Sequence, residues 1–189
     1  MHSAGVAATA KTLAKLYGMS DDECLMMDIA GNLHDIGKIL VPRKILEKNG
    51  KLTDEEFNKI KEHPYYTRRV IGDAKGYDEI VNWAADHHEK LNGTGYPFHK
   101  TAEELGVHQR IMAVADIFSA ITEDRPYRKG MTKDHALAVL HDNVASGGID
   151  GDIVTLLETH YEEVDAYREK MSAIAGKRYF STIENTKDD

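Results

Sequence analysis

The sequence predicts an all-α fold in a single domain. Apolar residues recur at helical spacing through most of the chain. Polar cap signals break that spacing at regular points, and no sustained alternation of apolar and polar residues marks a strand. At 189 residues the chain is long enough for one domain with a real core. Its 41% apolar and 30% charged residues place it among globular proteins.

Residues 2–17 read as a helix with Val6, Ala10, Leu13, Ala14 and Tyr17 on one face, ended by Gly18. Ser20-Asp21-Asp22-Glu23 is a capping box, and its helix runs to about His34. Gly37 frees the backbone just beyond. Pro42 opens a short helix through Glu47, and Asn49-Gly50 forms a turn. Thr53-Asp54-Glu55-Glu56 is a second capping box, for a helix carrying Phe57, Ile60 and Lys61 to His63-Pro64. Pro64 kinks or restarts that helix, which continues to about Ile71. Tyr77 to His88 is helical, with Ile80, Val81 and Ala84 inward. Asn92-Gly93-Thr94-Gly95-Tyr96-Pro97 is a loop, and Thr101 caps a turn after it. Ile111 to Ile121 is a strongly apolar helix. Thr132 caps the next, through Val144, which Ser146-Gly147-Gly148 closes. Asp150 caps one long final helix from about Asp152 to Ala175. Residues 177–189 read as a polar, partly disordered tail, so the domain is assigned to 1–176.

Composition narrows the function. Cys24 is the single cysteine, which excludes an internal disulfide and a multi-thiolate zinc site and fits a reducing, cytoplasmic setting. No apolar run approaches the roughly 20 residues that cross a bilayer. The net charge of −8 disfavours nucleic acid as a partner. An anionic substrate must therefore be held by metal or by local positive charge.

The chemistry gathers around Asn32-Leu33-His34-Asp35-Ile36-Gly37-Lys38. His34 and Asp35 offer lone pairs to one ion or to two, and Lys38 adds a point charge. Asp116 lies in the apolar run Ile111-Met112-Ala113-Val114-Ala115-Asp116-Ile117-Phe118, where an unpartnered carboxylate is costly. Metal is the preferred partner; an arginine or an N–H group is the competing one. His87 and His88 cannot face one spot from a regular helix, because adjacent residues point about 100° apart. They can share a cluster if the helix ends there. His63 at a helix break and His2 on the first helix complete the candidates. His99, His108, His135, His141 and His160 read as surface or packing residues. Imidazole plus carboxylate suits iron, manganese, nickel or zinc. Five to seven protein ligands exceed one tetrahedral zinc and favour two or more ions, with Asp35 bridging and a shared hydroxide attacking phosphorus. Asp124-Arg125-Pro126-Tyr127-Arg128-Lys129 reads either as a solvated turn or as a phosphate clamp in which Arg125 and Arg128 share a helical face.

Together these residues resemble the HD-GYP family, a subgroup of HD-domain phosphohydrolases that cleave cyclic di-GMP. The marks stand in order: His34-Asp35-Ile36-Gly37-Lys38, Lys61-Glu62-His63-Pro64, His87-His88-Glu89, Gly93-Thr94-Gly95-Tyr96-Pro97, and Ala115-Asp116 followed by Asp124-Arg125-Pro126-Tyr127-Arg128. The resemblance implies a compact helical bundle of the HD type with a metal centre in its core. It carries metal ligation onto His34, Asp35, His63, His87, His88, Asp116 and, in the first helix, His2. It implies that Asp35 and Lys38 serve catalysis and that Lys38, Tyr96, Arg125 and Arg128 contact substrate. The family's third-ion glutamate would fall before Met1, so two ions are expected. Ser119 and Asn92 stand where the family usually has aspartates. The implied substrate is a cyclic dinucleotide, cut to pGpG or GMP. The implied partners are a diguanylate cyclase-type protein at Gly95-Tyr96-Pro97 and a second copy of the chain, with a sensory or receiver domain upstream. Two other readings stay open: a phosphohydrolase for another nucleotide, and a receptor or docking module without turnover.

Overall fold

The computed structural model describes residues 1–72, 76–125 and 128–185. Ten α-helices follow in chain order: α1 (His2–Tyr17), α2 (Asp21–Leu33), α3 (Arg43–Leu46), α4 (Asp54–Lys61), α5 (His63–Ile71), α6 (Asp78–Ala85), α7 (Val107–Thr122), α8 (Lys133–Ala145), α9 (Gly151–Thr159) and α10 (Tyr161–Asn185). A 3-10 helix, Ile36–Leu40, lies between α2 and α3. No strand forms among the described residues; two isolated bridges pair Asn92 with Thr101 and Arg125 with Arg128. The all-α expectation holds. No described helix is long and apolar enough to cross a membrane.

Helix α1 is the axis of the bundle, packed against α2, α7, α9 and α10. Its alanines and Gly5 leave a thin surface. A Cβ on Gly31 of α2 would lie 2.4 Å from the Ala7 Cα, so the two backbones nearly touch where they cross. Val6, Leu13, Met27, Ile111, Met112, Phe118, Leu140, Ile153 and Leu157 fill the core around this contact. The same crossing brings the start of α1, with His2, toward the end of α2, with His34.

Both capping boxes form. Ser20 Oγ accepts from the Glu23 N–H at 3.3 Å and Glu23 Oε2 accepts from the Ser20 N–H at 2.9 Å. Thr53 and Glu56 repeat the pattern. Asp150 caps α9 through the N–H groups of Asp152 and Ile153. Gly18 ends α1 in the left-handed region, φ 94°, as its position predicts.

Four expectations are corrected. The final helix is two, broken at His160. Ile153, Leu157, Tyr161 and Val164 keep one apolar face across the break, so periodicity does not reveal it. Helix α10 also runs to Asn185, through the boundary placed at 176; residues 186–189 of the expected tail lie outside the described residues. Tyr17, grouped with the apolar face of α1, is exposed, because it is the last residue of the helix, beyond those that fill the contact.

Gly37 is the fourth. Its conformation is ordinary; its role is steric. A Cβ there would lie 2.1 Å from the His63 carbonyl oxygen and 2.4 Å from the Thr67 nitrogen. The 3-10 helix can thus lie directly on α5, tied by Gly37 N–H to Thr67 Oγ1 at 3.0 Å and by Thr67 Oγ1 to the His34 carbonyl at 2.8 Å. Gly37→Ala is expected to destabilise by about 3 kcal/mol, the upper end for overpacking, because the clash is with backbone that cannot rotate away. Urea unfolding reads this directly, and a shift under about 1 kcal/mol would show that the two segments part without cost.

Candidate metal centre and the loop beside it

All seven sequence-predicted ligands meet at one place. Three groups of potential ligand atoms each lie within 4.8 Å of one another: His63, His87 and His88; His2, His34 and Asp116; and His34, Asp35 and His87. Helix α6 ends at Ala85 rather than at His88, and Asp86 leaves helical geometry at φ −96°, ψ 7°. That early end lets the adjacent His87 and His88 turn into the same cluster. None of the remaining five histidines joins it. His108 stacks on Trp83 at 4.1 Å and His141 meets Glu158 at 3.0 Å.

Three of the histidines share one arrangement. His34, His63 and His87 each donate Nδ1–H to the carbonyl three residues back, Gly31, Ile60 and Ala84, at 2.7, 2.6 and 2.6 Å. A carbonyl can only accept, so the proton is on Nδ1 and Nε2 is left as a lone pair. His63 Nε2 and His87 Nε2 then face each other across 3.2 Å. Two lone pairs at that distance need a cation between or beside them. Nitrogens each about 2.1 Å from one ion sit at about this separation. His34 Nε2 and Asp35 Oδ1 are buried without a hydrogen-bond partner among the described residues. The donor set therefore fits divalent metal, with imidazole and carboxylate and no thiolate. Cys24 is buried and free.

The carboxylates complete the cluster. Asp35 Oδ1 is 3.2 Å from His63 Nε2, and Asp35 Oδ2 is 3.5 Å from His34 Nε2. One residue thus turns an oxygen toward each side of the cluster. Asp116 Oδ1 is 3.1 Å from His2 Nε2, and Oδ2 is 3.5 Å from His88 Nδ1. Burial pushes both aspartates up, but His63, His34 and Lys38 around Asp35, and His2 and His34 around Asp116, hold them well below the ordinary carboxylate range. Burial pulls the His88 pKa down to about 4 and that of His87 well below its ordinary value. Both are neutral, the state that ligates metal.

Glu123 was missed by the sequence reading. Its Oε2 lies 3.4 Å from His2 Nδ1, on the ring edge away from Asp116. Burial opposes the His2 imidazolium, but hydrogen bonding to Asp116 and Glu123 outweighs it and pushes the pKa up to about 9. Glu123 lies seven residues past Asp116 and directly before Asp124, and only the packing of α7 against α1 reveals its contact with His2.

Lys38 Nζ donates to Asp35 Oδ2 at 2.6 Å, so its charge is at the cluster, held on the aspartate. Arg125 and Arg128 do not lie on a helical turn as expected. Their backbones exchange both N–H···O bonds, at 2.8 and 3.0 Å, in an antiparallel bridge. Residues directly opposite in such a bridge put their side chains on one face, so the shared face survives by another geometry. The Arg128 guanidinium donates to the Ala120 carbonyl at 2.8 Å. Pro126 and Tyr127 lie outside the described residues.

The Gly-Tyr-Pro loop is fastened beside the cluster. Tyr96 N–H donates to the His88 carbonyl at 3.1 Å, and the two rings pack at 4.8 Å. Buried Glu89 accepts from the N–H groups of Phe98 and Lys100 at 2.6 and 2.9 Å. Buried Asp86 accepts from Lys100 Nζ at 2.6 Å. Gly95 lies so close to this segment that a Cβ would be 2.3 Å from the Lys90 nitrogen. The two acids after α6 thus set the loop's position.

The family model described as HD domain matches residues 1–153. This chain belongs to the HD-domain family. A cyclic di-GMP phosphodiesterase of Pseudomonas aeruginosa is 41% identical over 138 residues, 72% of this chain and 33% of that protein. A 3'3'-cGAMP-specific phosphodiesterase of Vibrio cholerae is 38% identical over 143 residues, 76% of this chain and 31% of that protein. The chain spans about a third of the length of these curated relatives. Among solved structures, Bd1817, a HDG"Y"P protein from Bdellovibrio bacteriovorus, superposes with a TM-score of 0.68 at 21% identity, over 85% of this chain and 51% of that one. That likeness shows the fold alone.

Proposed function

We propose that this chain is a metal-dependent phosphodiesterase domain of the HD-GYP type that hydrolyses cyclic di-GMP to pGpG or GMP. One observation carries the reading: the lone pairs of His63 and His87 meet beside an aspartate that turns one oxygen to His63 and the other to His34. The names of the curated relatives support the substrate class. We assign metal ligation to His2, His34, Asp35, His63, His87, His88 and Asp116, for two divalent ions, iron or manganese before nickel or zinc. Such ions supply Lewis acidity toward phosphate oxygens and lower the pKa of water.

The chain's own residues do the rest. Asp35 spans the two sides of the cluster and fixes their separation. Lys38, released from Asp35, places a positive charge at the phosphate nearest the cluster. Arg125 and Arg128 present one face to the second phosphate, whose two non-bridging oxygens match a guanidinium fork. Tyr96 walls the site where its ring covers His88. These local charges oppose the net charge of −8, which alone would repel a dianion.

The test is incubation of the manganese- or iron(II)-loaded protein with cyclic di-GMP, products being resolved by mass spectrometry. pGpG or GMP is expected. Tight binding without product would favour the receptor reading. Arg125→Ala and Arg128→Ala are each expected to weaken cyclic di-GMP binding about ten- to a hundredfold with metal content unchanged. Calorimetric titration showing wild-type affinity in both would return this segment to a solvated turn.

A further inference from the structure

We propose that the cleft between α4, α5 and the Gly-Tyr-Pro loop is a guanine subsite, in which Glu62 reads the Watson–Crick edge of the base. The inference rests on the cyclic-dinucleotide reading above and goes beyond it to base selection.

The cleft has a volume of about 540 Å³ and is lined by Asn58, Lys61, Glu62, Tyr65, Tyr96 and Phe98, among others. Its walls are aromatic and its polar groups few, the make-up of a site for a flat heterocycle. Two of its lining residues adjoin the metal-ligand cluster. Glu62 immediately precedes His63, and the Tyr96 ring lies 4.8 Å from the His88 ring. A nucleotide whose phosphate rests on the cluster can therefore send its base into this cleft. The Lys61 ammonium is 5.6 Å from the centre of the Tyr96 ring, within the same space.

Glu62 has the chemistry to choose the base. Guanine presents two adjacent donors on its Watson–Crick edge, the ring N1–H and the exocyclic amine. A carboxylate accepts both with its two oxygens. Adenine presents an acceptor at N1 beside its amine donor, and a carboxylate repels that acceptor. The Glu62 carboxylate is held in place: Tyr66 Oη donates to Oε2 at 2.7 Å and Lys59 Nζ to Oε1 at 2.8 Å. Each oxygen keeps a second lone pair for the base. Lys61 adds a donor suited to guanine O6, an acceptor that adenine replaces with its amine.

Glu62→Gln separates base reading from structure. The amide oxygen still accepts from Tyr66; the amide N–H₂ releases the exposed Lys59 to solvent and meets the guanine N1–H donor to donor. The same amide pairs with adenine, one acceptor and one donor on each side. Turnover of cyclic di-GMP and cyclic di-AMP by the metal-loaded proteins is compared, with bis(p-nitrophenyl) phosphate as a substrate lacking a base. The variant is expected to lose about ten- to a hundredfold in kcat/KM for cyclic di-GMP, to narrow or reverse the preference over cyclic di-AMP, and to keep wild-type turnover of the base-free ester. An unchanged preference in an active variant overturns the guanine subsite and leaves the phosphodiesterase reading standing. Wild-type protein that neither binds nor cleaves either dinucleotide overturns both.

Discussion

Replacing Asp35 with alanine is expected to release most of the bound metal, abolish hydrolysis and lower the melting temperature of the metal-loaded protein. Asp35 turns one oxygen toward His63 and the other toward His34. Without it the imidazoles and Asp116 remain, but nothing joins His63 to His34. An ion present at a hundred times its dissociation constant stabilises the native state by about 2.7 kcal/mol. At roughly 2–4 °C per kcal/mol for a chain of this size, losing one such ion lowers Tm by about 5–10 °C. Elemental analysis and thermal melts with and without chelator check it. Wild type and variant should converge once metal is stripped. Full metal content in Asp35→Ala would sink the bridging assignment.

Asp86→Ala is expected to be strongly destabilising, although the residue is not a candidate ligand. The Asp86 side chain is fully buried and takes Lys100 Nζ at 2.6 Å and the Arg68 guanidinium at 3.5 Å. Removing one member of a buried pair typically costs about 3–5 kcal/mol, because the partner charge is left without compensation. Here Lys100 retains 22% exposure and can still reach water, which argues for the lower end, about 3 kcal/mol. The loss should also loosen the Phe98–Lys100 segment, which Glu89 alone would then hold. Urea unfolding measures the stability, and cyclic di-GMP titration measures the loop. A change below about 1 kcal/mol would show that Asp86 is not the loop's anchor.

The sequence by itself determined the helical class, most helix starts and the set of candidate ligands. Those signals are local. A capping box closes within four residues, a left-handed Gly18 acts at its own position, and a carboxylate in the apolar run around Asp116 announces a partner wherever that partner lies. The resemblance added the order of the marks. Local signals also had local blind spots. The break at His160 is invisible because the apolar face is continuous across it. Gly37 was read for backbone freedom when its constraint comes from His63 and Thr67 across a helix contact.

Only the tertiary structure decided how the ligands are used. The proton on each Nδ1 depends on a carbonyl three residues back being turned the right way, and the facing Nε2 lone pairs depend on α5 meeting the end of α6. Glu123 reaches His2 only because α7 returns alongside α1. Asp86 and Glu89 hold a loop that begins several residues later. Glu62 becomes a base reader only when Tyr96, far along the chain, forms the opposite wall of its cleft. Residue type and spacing fix which chemistry is available. Long-range packing, through a few close backbone contacts at Gly31, Gly37 and Gly95, fixes where those groups meet.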